Sequence, residues 1–164
     1  MIKEKYTMGY TPFFRRPNAI AAINGSNHYP GISGVVRFYQ LEEGVIVSTE
    51  ISGLPVEKNP CKSPIFGFHI HSGISCSGNS KDPFADAGTH YNPHSCTHPY
   101  HAGDMPPLFG ANGTAFSVFL IDRFTVDEII GKTIVLHANP DDFMTQPSGN
   151  SGEKIACGKI SRGK

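Results

Sequence analysis

The sequence predicts an all-β domain, folded as a β-sandwich or β-barrel of seven or eight strands. The 164 residues include 18 glycines and 13 prolines, a share above the usual one, which favours turns and short strands. Runs of β-branched and aromatic residues recur between these turns. Only one short segment has the features of a helix.

The first three strands are predicted before residue 55. AIAAING (19–25) is the first candidate. The runs GVVRFYQLE (34–42) and GVIVSTEISGL (44–54) meet at residues 42–44, which is typical of a hairpin. In the second run, alternate positions from 45 to 51 carry Val, Val, Thr and Ile, which indicates a strand with one buried face.

Two long loops separate the later strands. A proline-rich connection (55–64) leads to the strand IFGFHIH (65–71). Residues 72–114 are rich in Gly, Pro, Asn, Ser and His, and residues 139–154 form a second stretch of this kind. Loops of this length in a compact domain are usually functional, so we expect both to contribute to a site.

The remaining elements are three strands and one helical turn. In TVDEIIG, Thr125 is the predicted N-cap and Glu128 stands in the capping-box position. The strands are AFSVFLIDRF (115–124), KTIVLHA (132–138) and IACGKI (155–160).

The chain is predicted to contain one domain over residues 17–164, preceded by an extension over residues 1–16. The formal net charge is zero and no basic stripe is present, so we expect no nucleic-acid partner. No run of 18 apolar residues exists, which argues against a membrane-spanning helix. The N-terminus begins with Met and lacks the apolar core of a signal peptide, which predicts a cytoplasmic location.

Most of the histidines lie in tight groups. His69 and His71 occupy alternate positions of one predicted strand, so both imidazoles point to the same face. Such a pair is the beginning of a transition-metal site. His28 and His94 lie in polar turns and are expected at the surface. The other candidates, enough with the pair for two metal ions, are His90, His98, His101, Asp104 and His137.

Five segments in order resemble the copper-zinc superoxide dismutases, over residues 17–160. They are GFHIHSG followed by Cys76, GTHYNP, His98 with HAGD (101–104), TIVLHAN, and GNSGEKIACG. The resemblance implies a Greek-key β-barrel or sandwich of about eight antiparallel strands with two long functional loops. It also implies dismutation of superoxide to oxygen and hydrogen peroxide, with copper and zinc as cofactors.

The resemblance also implies the ligands of each metal. Copper would be held by His69, His71, His90 and His137. Zinc would be held by His90, His98, His101 and Asp104. His90 would be the shared imidazolate and would transfer a proton. Asp141 resembles the carboxylate that orients one histidine of each metal from behind, although the neighbouring Asp142 competes for this role.

The chain has four cysteines and no CxxC motif. Their spacing is compatible with one or two disulfides, which are unusual in the cytoplasm. The resemblance implies a disulfide between Cys76 and Cys157. Cys61 and Cys96 have no counterpart in the family pattern and either form a second bridge or stay free, the latter being slightly favoured.

Two departures from the family pattern affect the expected activity. Lys154 occupies the position where the family has an arginine that guides superoxide, so we expect an active but slower enzyme. Only Pro99 and Tyr100 separate His98 from His101, a shorter zinc loop than in the animal enzymes. The segment from Cys76 to His90 is longer than theirs and is expected to cover the surface that they use for pairing, so their dimer is not assumed. A homodimer is kept as a prediction, with its interface unknown.

Two other functions compete with dismutation. The alternative is a copper- or zinc-binding protein of the same fold that stores or buffers metal without turnover, and Lys154 is the feature that favours it. The other competing function is a structural or interaction role for a zinc-stabilised β-domain. The absence of a copper histidine would have supported it, but all four are present.

Overall fold

The computed structural model describes residues 16–62 and 64–163. Of the extension predicted over residues 1–16, residues 1–15 therefore lie outside the described residues. The strands are β1 (Ala19–Gly25), β2 (Ser33–Gln40), β3 (Val45–Ser52), β4 (Ile65–Phe66), β5 (Phe68–His71), β6 (Leu108–Phe109), β7 (Thr114–Ile121), β8 (Thr133–His137) and β9 (Lys154–Arg162). One short helix, α1 (Val126–Ile129), precedes β8, and 3₁₀ turns occur at Pro60–Lys62 and Ala85–Ala87.

Seven strands form one antiparallel sheet in the order β5-β8-β9-β1-β2-β3-β7, and β4 pairs with β6 in a second, two-stranded sheet. The predicted all-β class is therefore confirmed. Among the described residues, no helix is long and apolar enough to cross a membrane.

The core lies on one face of the curled sheet, where apolar residues alternate along each strand. On β1, Ala19, Ala21 and Ile23 are buried in this core. On β5, Phe68 and Ile70 occupy it. The alternate residues of β5 therefore project from the opposite face, where the two long loops lie.

The predicted strand over residues 65–71 is divided in the structure. Its first two residues, β4, leave the large sheet to pair with β6, and Gly67 marks the break. The Gly67 amide bonds to the Asn139 carbonyl (2.7 Å), and a Cβ at Gly67 would lie 2.7 Å from the Ser151 hydroxyl. Close packing against the second long loop thus requires glycine at this position.

The single helical turn begins after Thr125, as the sequence predicts. The Thr125 amide and hydroxyl both donate to the Glu128 carboxylate, at 2.6 and 2.8 Å. These hydrogen bonds lower the pKa of Glu128. β6 was missed: two residues between Pro107 and Gly110 show no periodic pattern, and this strand depends on its partner β4.

Candidate metal centre

The histidine pair of β5 lies on the face of the sheet opposite the core. Phe68 and Ile70 point into the core, so His69 and His71 project from the other face. β8 is the antiparallel neighbour of β5, and His137 is its last residue, next to a register shift. The sheet thus provides a rigid platform for three imidazoles.

The free edge of β5 is covered by the first long loop. The Ile70 amide donates to the Gly103 carbonyl (2.9 Å), and the Ile70 carbonyl accepts from the Tyr91 amide (2.8 Å). These bonds bring the neighbouring residues His90 and Asp104 beside the histidine pair. A Cβ at Gly103 would lie 2.2 Å from the Ile70 carbonyl oxygen, so this approach requires glycine.

The seven predicted ligands come together as two adjacent groups. Within each group, the possible ligand atoms lie within 4.8 Å of one another, and all of the residues are buried. The groups are His69, His71, His90 and His137, and His90, His98, His101 and Asp104. We call them the four-histidine cluster and the three-histidine–carboxylate cluster. His28 and His94 are exposed, as predicted.

His90 belongs to both clusters. Its Nδ1 lies 2.7 Å from Asp104 Oδ1 and 3.5 Å from His101 Nδ1, on the side of the three-histidine–carboxylate cluster. Its ring stacks near that of His69, with centroids 4.0 Å apart. Its Nε2 is left for the four-histidine cluster, so one imidazole presents a nitrogen to each group.

Three buried ring nitrogens have no hydrogen-bond partner within the described part of the chain: His69 Nδ1, His90 Nε2 and His98 Nδ1. A buried polar atom without a partner costs about 1–3 kcal/mol. His98 Nδ1 also lies 3.0 Å from Asp104 Oδ2 without the geometry of a hydrogen bond. A cation in each cluster would give every one of these atoms a partner, so the residues present fit two bound metals.

Asp141 lies behind the two clusters and orients one histidine of each. Its Oδ2 accepts from His69 Nε2 (2.7 Å) and its Oδ1 from His98 Nε2 (2.9 Å). Burial raises the pKa of Asp141, but hydrogen bonds from His69, the Phe143 amide and His98 lower it overall. Asp142 contacts neither histidine and instead accepts from Thr145.

Backbone carbonyls orient two other histidines of the four-histidine cluster. His71 Nδ1 donates to Gly88 O (2.8 Å), and His137 Nδ1 donates to Gly152 O (3.2 Å). Their Nε2 atoms consequently face each other at 3.2 Å. Burial lowers the pKa of His137 to about 3 and that of His71 well below its ordinary value. Both rings are therefore neutral at pH 7, the state in which imidazole binds metals.

The short loop from His98 to His101 brings both histidines into one cluster despite the two-residue spacer between them. Arg123, which follows β7, donates to the Pro99 carbonyl (2.8 Å) and to those of His101 and Asp104 (both 3.4 Å). We call Arg123 the loop clamp. Sequence reasoning missed it, because a single charged residue after a strand has no distinguishing pattern.

A disulfide joins Cys76 to Cys157, with the Cα atoms 5.7 Å apart. It links the first long loop to β9, and Phe84 and Val135 pack beside it. A cross-link of this kind contributes about 2–4 kcal/mol to stability. Within residues 16–62 and 64–163, Cys61 and Cys96 are exposed and form no disulfide.

Lys154 lies at the mouth of the four-histidine cluster. It lines a cavity of 350 Å³ together with His71, His90, His101 and His137. Its Nζ, however, lies 2.5 Å from Asp82 Oδ2. The ammonium group is therefore paired with a carboxylate of the first long loop, which the sequence did not predict.

The comparisons with known proteins agree with this geometry. The family model described as copper/zinc superoxide dismutase matches residues 32–160. A superoxide dismutase [Cu-Zn] of Photobacterium leiognathi is 34% identical over 141 residues, covering 77% of this chain and 78% of that protein. One of Onchocerca volvulus is 33% identical over 167 residues, covering 89% of this chain and 96% of that protein.

A solved structure supports the fold. The copper/zinc superoxide dismutase from Brucella abortus aligns with a TM-score of 0.72 at 23% sequence identity. The match covers 86% of this chain and 98% of that one. The predicted Greek-key β-barrel architecture is confirmed by this likeness.

Proposed function

The chain belongs to the copper/zinc superoxide dismutase family, and we propose that its two histidine clusters are the sites at which copper and zinc serve that activity. It is an oxidoreductase that converts two superoxide anions and two protons to oxygen and hydrogen peroxide. The observation that carries the proposal is the set of unpartnered, buried ring nitrogens that face the two clusters.

We assign copper to the four-histidine cluster and zinc to the three-histidine–carboxylate cluster. Four imidazole nitrogens suit copper, whereas zinc accepts a tetrahedral set of nitrogen ligands with one carboxylate. When bound, copper supplies one-electron redox chemistry, and zinc, which has none, holds the second cluster in place. This assignment follows the donor chemistry of each cluster.

His90 holds and transfers a proton at Nε2. Asp104 fixes the ring from the Nδ1 side at 2.7 Å, so Nε2 keeps its direction toward the cavity. A proton carried on this atom is delivered where peroxide forms, and the remaining proton comes from solvent. His90 is 6% exposed and lines the same cavity as His71 and His137. The proton therefore passes to a group bound in this cavity with little movement of the imidazole ring.

Lys154 attracts the anionic substrate toward the four-histidine cluster. Its side chain is 15% exposed and lines the cavity between these histidines and solvent. A positive charge at the mouth of a narrow site raises the rate of anion encounter, and the effect falls with salt. Lysine lacks the planar fork of arginine, so we expect weaker docking and a slower enzyme.

The alternative of a metal store without turnover is not favoured, because the comparisons give relatives that are named as dismutases. A homodimer with unknown interface, a lack of nucleic-acid and membrane partners, and a cytoplasmic location all stay predictions. The disulfide is more common in oxidising compartments, so cell fractionation is the appropriate check of the location.

The proposed metal assignment is tested by His71→Ala, with His28→Ala as the matched control. His71 lies only in the four-histidine cluster, whereas His28 is exposed and pairs with Glu153. We expect His71→Ala to lose copper and dismutation but keep one zinc per chain, while His28→Ala keeps both metals and its activity. Full copper-dependent activity in His71→Ala would contradict the assignment.

A further inference from the structure

We propose that Asp82 is a positioning residue that sets the effective charge of Lys154, and that it thereby weakens the attraction of the site for anions. The inference rests on the proposed role of Lys154 as the cation at the mouth of the copper site. It adds a residue from the first long loop to the machinery that controls substrate entry.

The contact between the two residues is direct and specific. Lys154 Nζ donates to Asp82 Oδ2 (2.5 Å) and to the Phe84 carbonyl (3.3 Å). The Lys154 side chain is 15% exposed and that of Asp82 is 39% exposed, so water screens the pair only in part. The two acceptors in the first long loop therefore restrict the ammonium group, which does not rotate freely in solvent.

The Asp82 carboxylate is itself fixed by the loop. Its Oδ1 accepts from the Phe84 amide (3.0 Å), which leaves Oδ2 for Lys154. The Asp82 carbonyl accepts from the Asn79 and Ala85 amides, at 2.9 and 3.2 Å. A carboxylate bound in this way is already in place and pays little entropy to hold the lysine.

The disulfide links the segments that carry the two partners. It joins Cys76, six positions before Asp82, to Cys157, three positions after Lys154. Phe84, which bonds both members of the pair through its backbone, packs in the small cluster beside this disulfide. The geometry of the ion pair is therefore part of the fold.

The pairing has an electrostatic consequence. Burial raises the pKa of Asp82, but the hydrogen bond from Lys154 and that from the Phe84 amide lower it overall, so the carboxylate is ionised at neutral pH. An incoming anion must then compete with a fixed negative charge for the same ammonium group. Asp82 offsets part of the field that Lys154 would otherwise project into the cavity.

Two other carboxylates, one next to Lys154 in the chain and one in the same loop as Asp82, bond to other partners. Glu153, which directly precedes Lys154 in the chain, accepts from His28 (3.0 Å). Asp86, in the same loop as Asp82, accepts from the Ser77 hydroxyl (2.6 Å). Asp86 therefore provides a matched control, since its removal takes away one loop charge and leaves the ion pair intact.

The test measures azide binding to the copper-zinc protein by the visible absorption of copper, at low ionic strength. Asp82→Asn removes the charge but keeps one amide oxygen, which can still accept from the Phe84 amide and so preserve this contact within the loop. We expect azide to bind about two- to fivefold more tightly to this variant, the size of an exposed ion-pair effect. Asp86→Asn is expected to change the affinity by less than about 1.5-fold.

The decisive comparison repeats Asp82→Asn in a Lys154→Met background. If Asp82 acts through Lys154, most of the gain in azide affinity disappears in the double variant. An unchanged affinity in Asp82→Asn, or an equal gain with Met at position 154, overturns the inference. If Asp82→Asn does not fold, Asp82→Ser keeps a short acceptor for the Phe84 amide and is subject to the same expectations.

Superoxide decay, measured on the same samples, separates this inference from the proposed function. In Asp82→Asn we expect catalytic efficiency to rise by a similar factor at low salt and to fall more steeply as salt is added. Tighter azide binding in a protein that does not dismutate superoxide would overturn the function alone. Dismutation with unchanged azide binding would overturn the role of Asp82 alone.

Discussion

Asp141 lies directly behind His69 and accepts a 2.7 Å hydrogen bond from its Nε2. This bond fixes the proton on Nε2 and turns Nδ1 toward the four-histidine cluster, where it has no partner within the described residues. The same carboxylate accepts from His98 Nε2 (2.9 Å) on its other oxygen. One side chain therefore selects the tautomer of a ligand in each cluster.

Asp141→Asn is predicted to weaken both metal sites. His69 and His98 each donate to one carboxylate oxygen, whereas an amide has only one oxygen. One of the two histidines must therefore lose its hydrogen bond or change its tautomer. We expect copper and zinc affinities to fall by about 10- to 100-fold, measured by competition with chelators. Asp142→Asn is the matched control, since Asp142 contacts neither histidine. Equal losses in the two variants would contradict the orienting role of Asp141.

Replacement of the loop clamp is predicted to weaken zinc binding. Arg123→Met removes the donors to the carbonyls of Pro99, His101 and Asp104. We expect about a three- to tenfold loss of zinc affinity, since one charged donor contributes roughly 1 kcal/mol at a partly exposed site. Arg37→Met is the control, because Arg37 pairs with Glu50 on β2 and β3. Unchanged zinc affinity in Arg123→Met would contradict the role of Arg123 in holding the short loop in place for zinc binding.

Lys154 variants are predicted to change both the rate and its salt dependence. Lys154→Ala removes the guiding charge, so catalytic efficiency is expected to drop by about tenfold at low salt and to become nearly independent of salt. Lys154→Arg restores a planar, bidentate donor and is expected to raise the efficiency. Stopped-flow or radiolysis rates across a salt series measure both effects. A full rate with an unchanged salt slope in Lys154→Ala would contradict the guiding role.

The metal-free protein is predicted to lose stability as pH falls below about 6.5. Burial lowers the pKa of His137 to about 3 and also lowers that of His71, whereas both take up protons near 6.5 when unfolded. The unfolded chain then binds more protons, so the free energy of unfolding decreases on acidification.

The expected loss between pH 7.5 and 5.5 is about 1 kcal/mol for each of these histidines, measured from urea unfolding curves. The copper-zinc protein serves as the control, since bound metal stabilises the folded state and moves the transition to lower pH. A metal-free stability that is flat or rises over this range would contradict the pKa shifts.

The strand pattern and the residues that make up the two clusters could be predicted from the sequence. AIAAING matches β1 residue for residue, because its alternating apolar side chains face the core. The HIH pair of β5 shows its two-residue period directly. Backbone hydrogen bonds to Ile70 place His90 and Asp104 of the first long loop beside the histidine pair. No local sequence pattern reveals these bonds, so the position of His90 and Asp104 in the site could be predicted only from the family resemblance.

Two supporting residues, Arg123 and Asp82, could not be predicted, for a physical reason. Arg123 acts through backbone carbonyls, which every sequence possesses. Asp82 meets Lys154 across 72 positions of the chain, in a loop that the Cys76–Cys157 disulfide links to β9, and no local pattern reveals such a contact. Asp141 was expected from the family resemblance, but the residues alone left Asp142 as a competitor, because tertiary packing sets which carboxylate turns inward.

The most direct measurement is the rate of superoxide decay by pulse radiolysis, on protein reconstituted with copper and zinc and assayed for both metals. Protein that contains zinc alone is the reference. We predict a fast, copper-dependent decay that is slowed by salt and lies below the diffusion ceiling of about 10⁹ M⁻¹s⁻¹. A decay no faster than that of the zinc-only protein, with copper bound, would contradict dismutation at the four-histidine cluster.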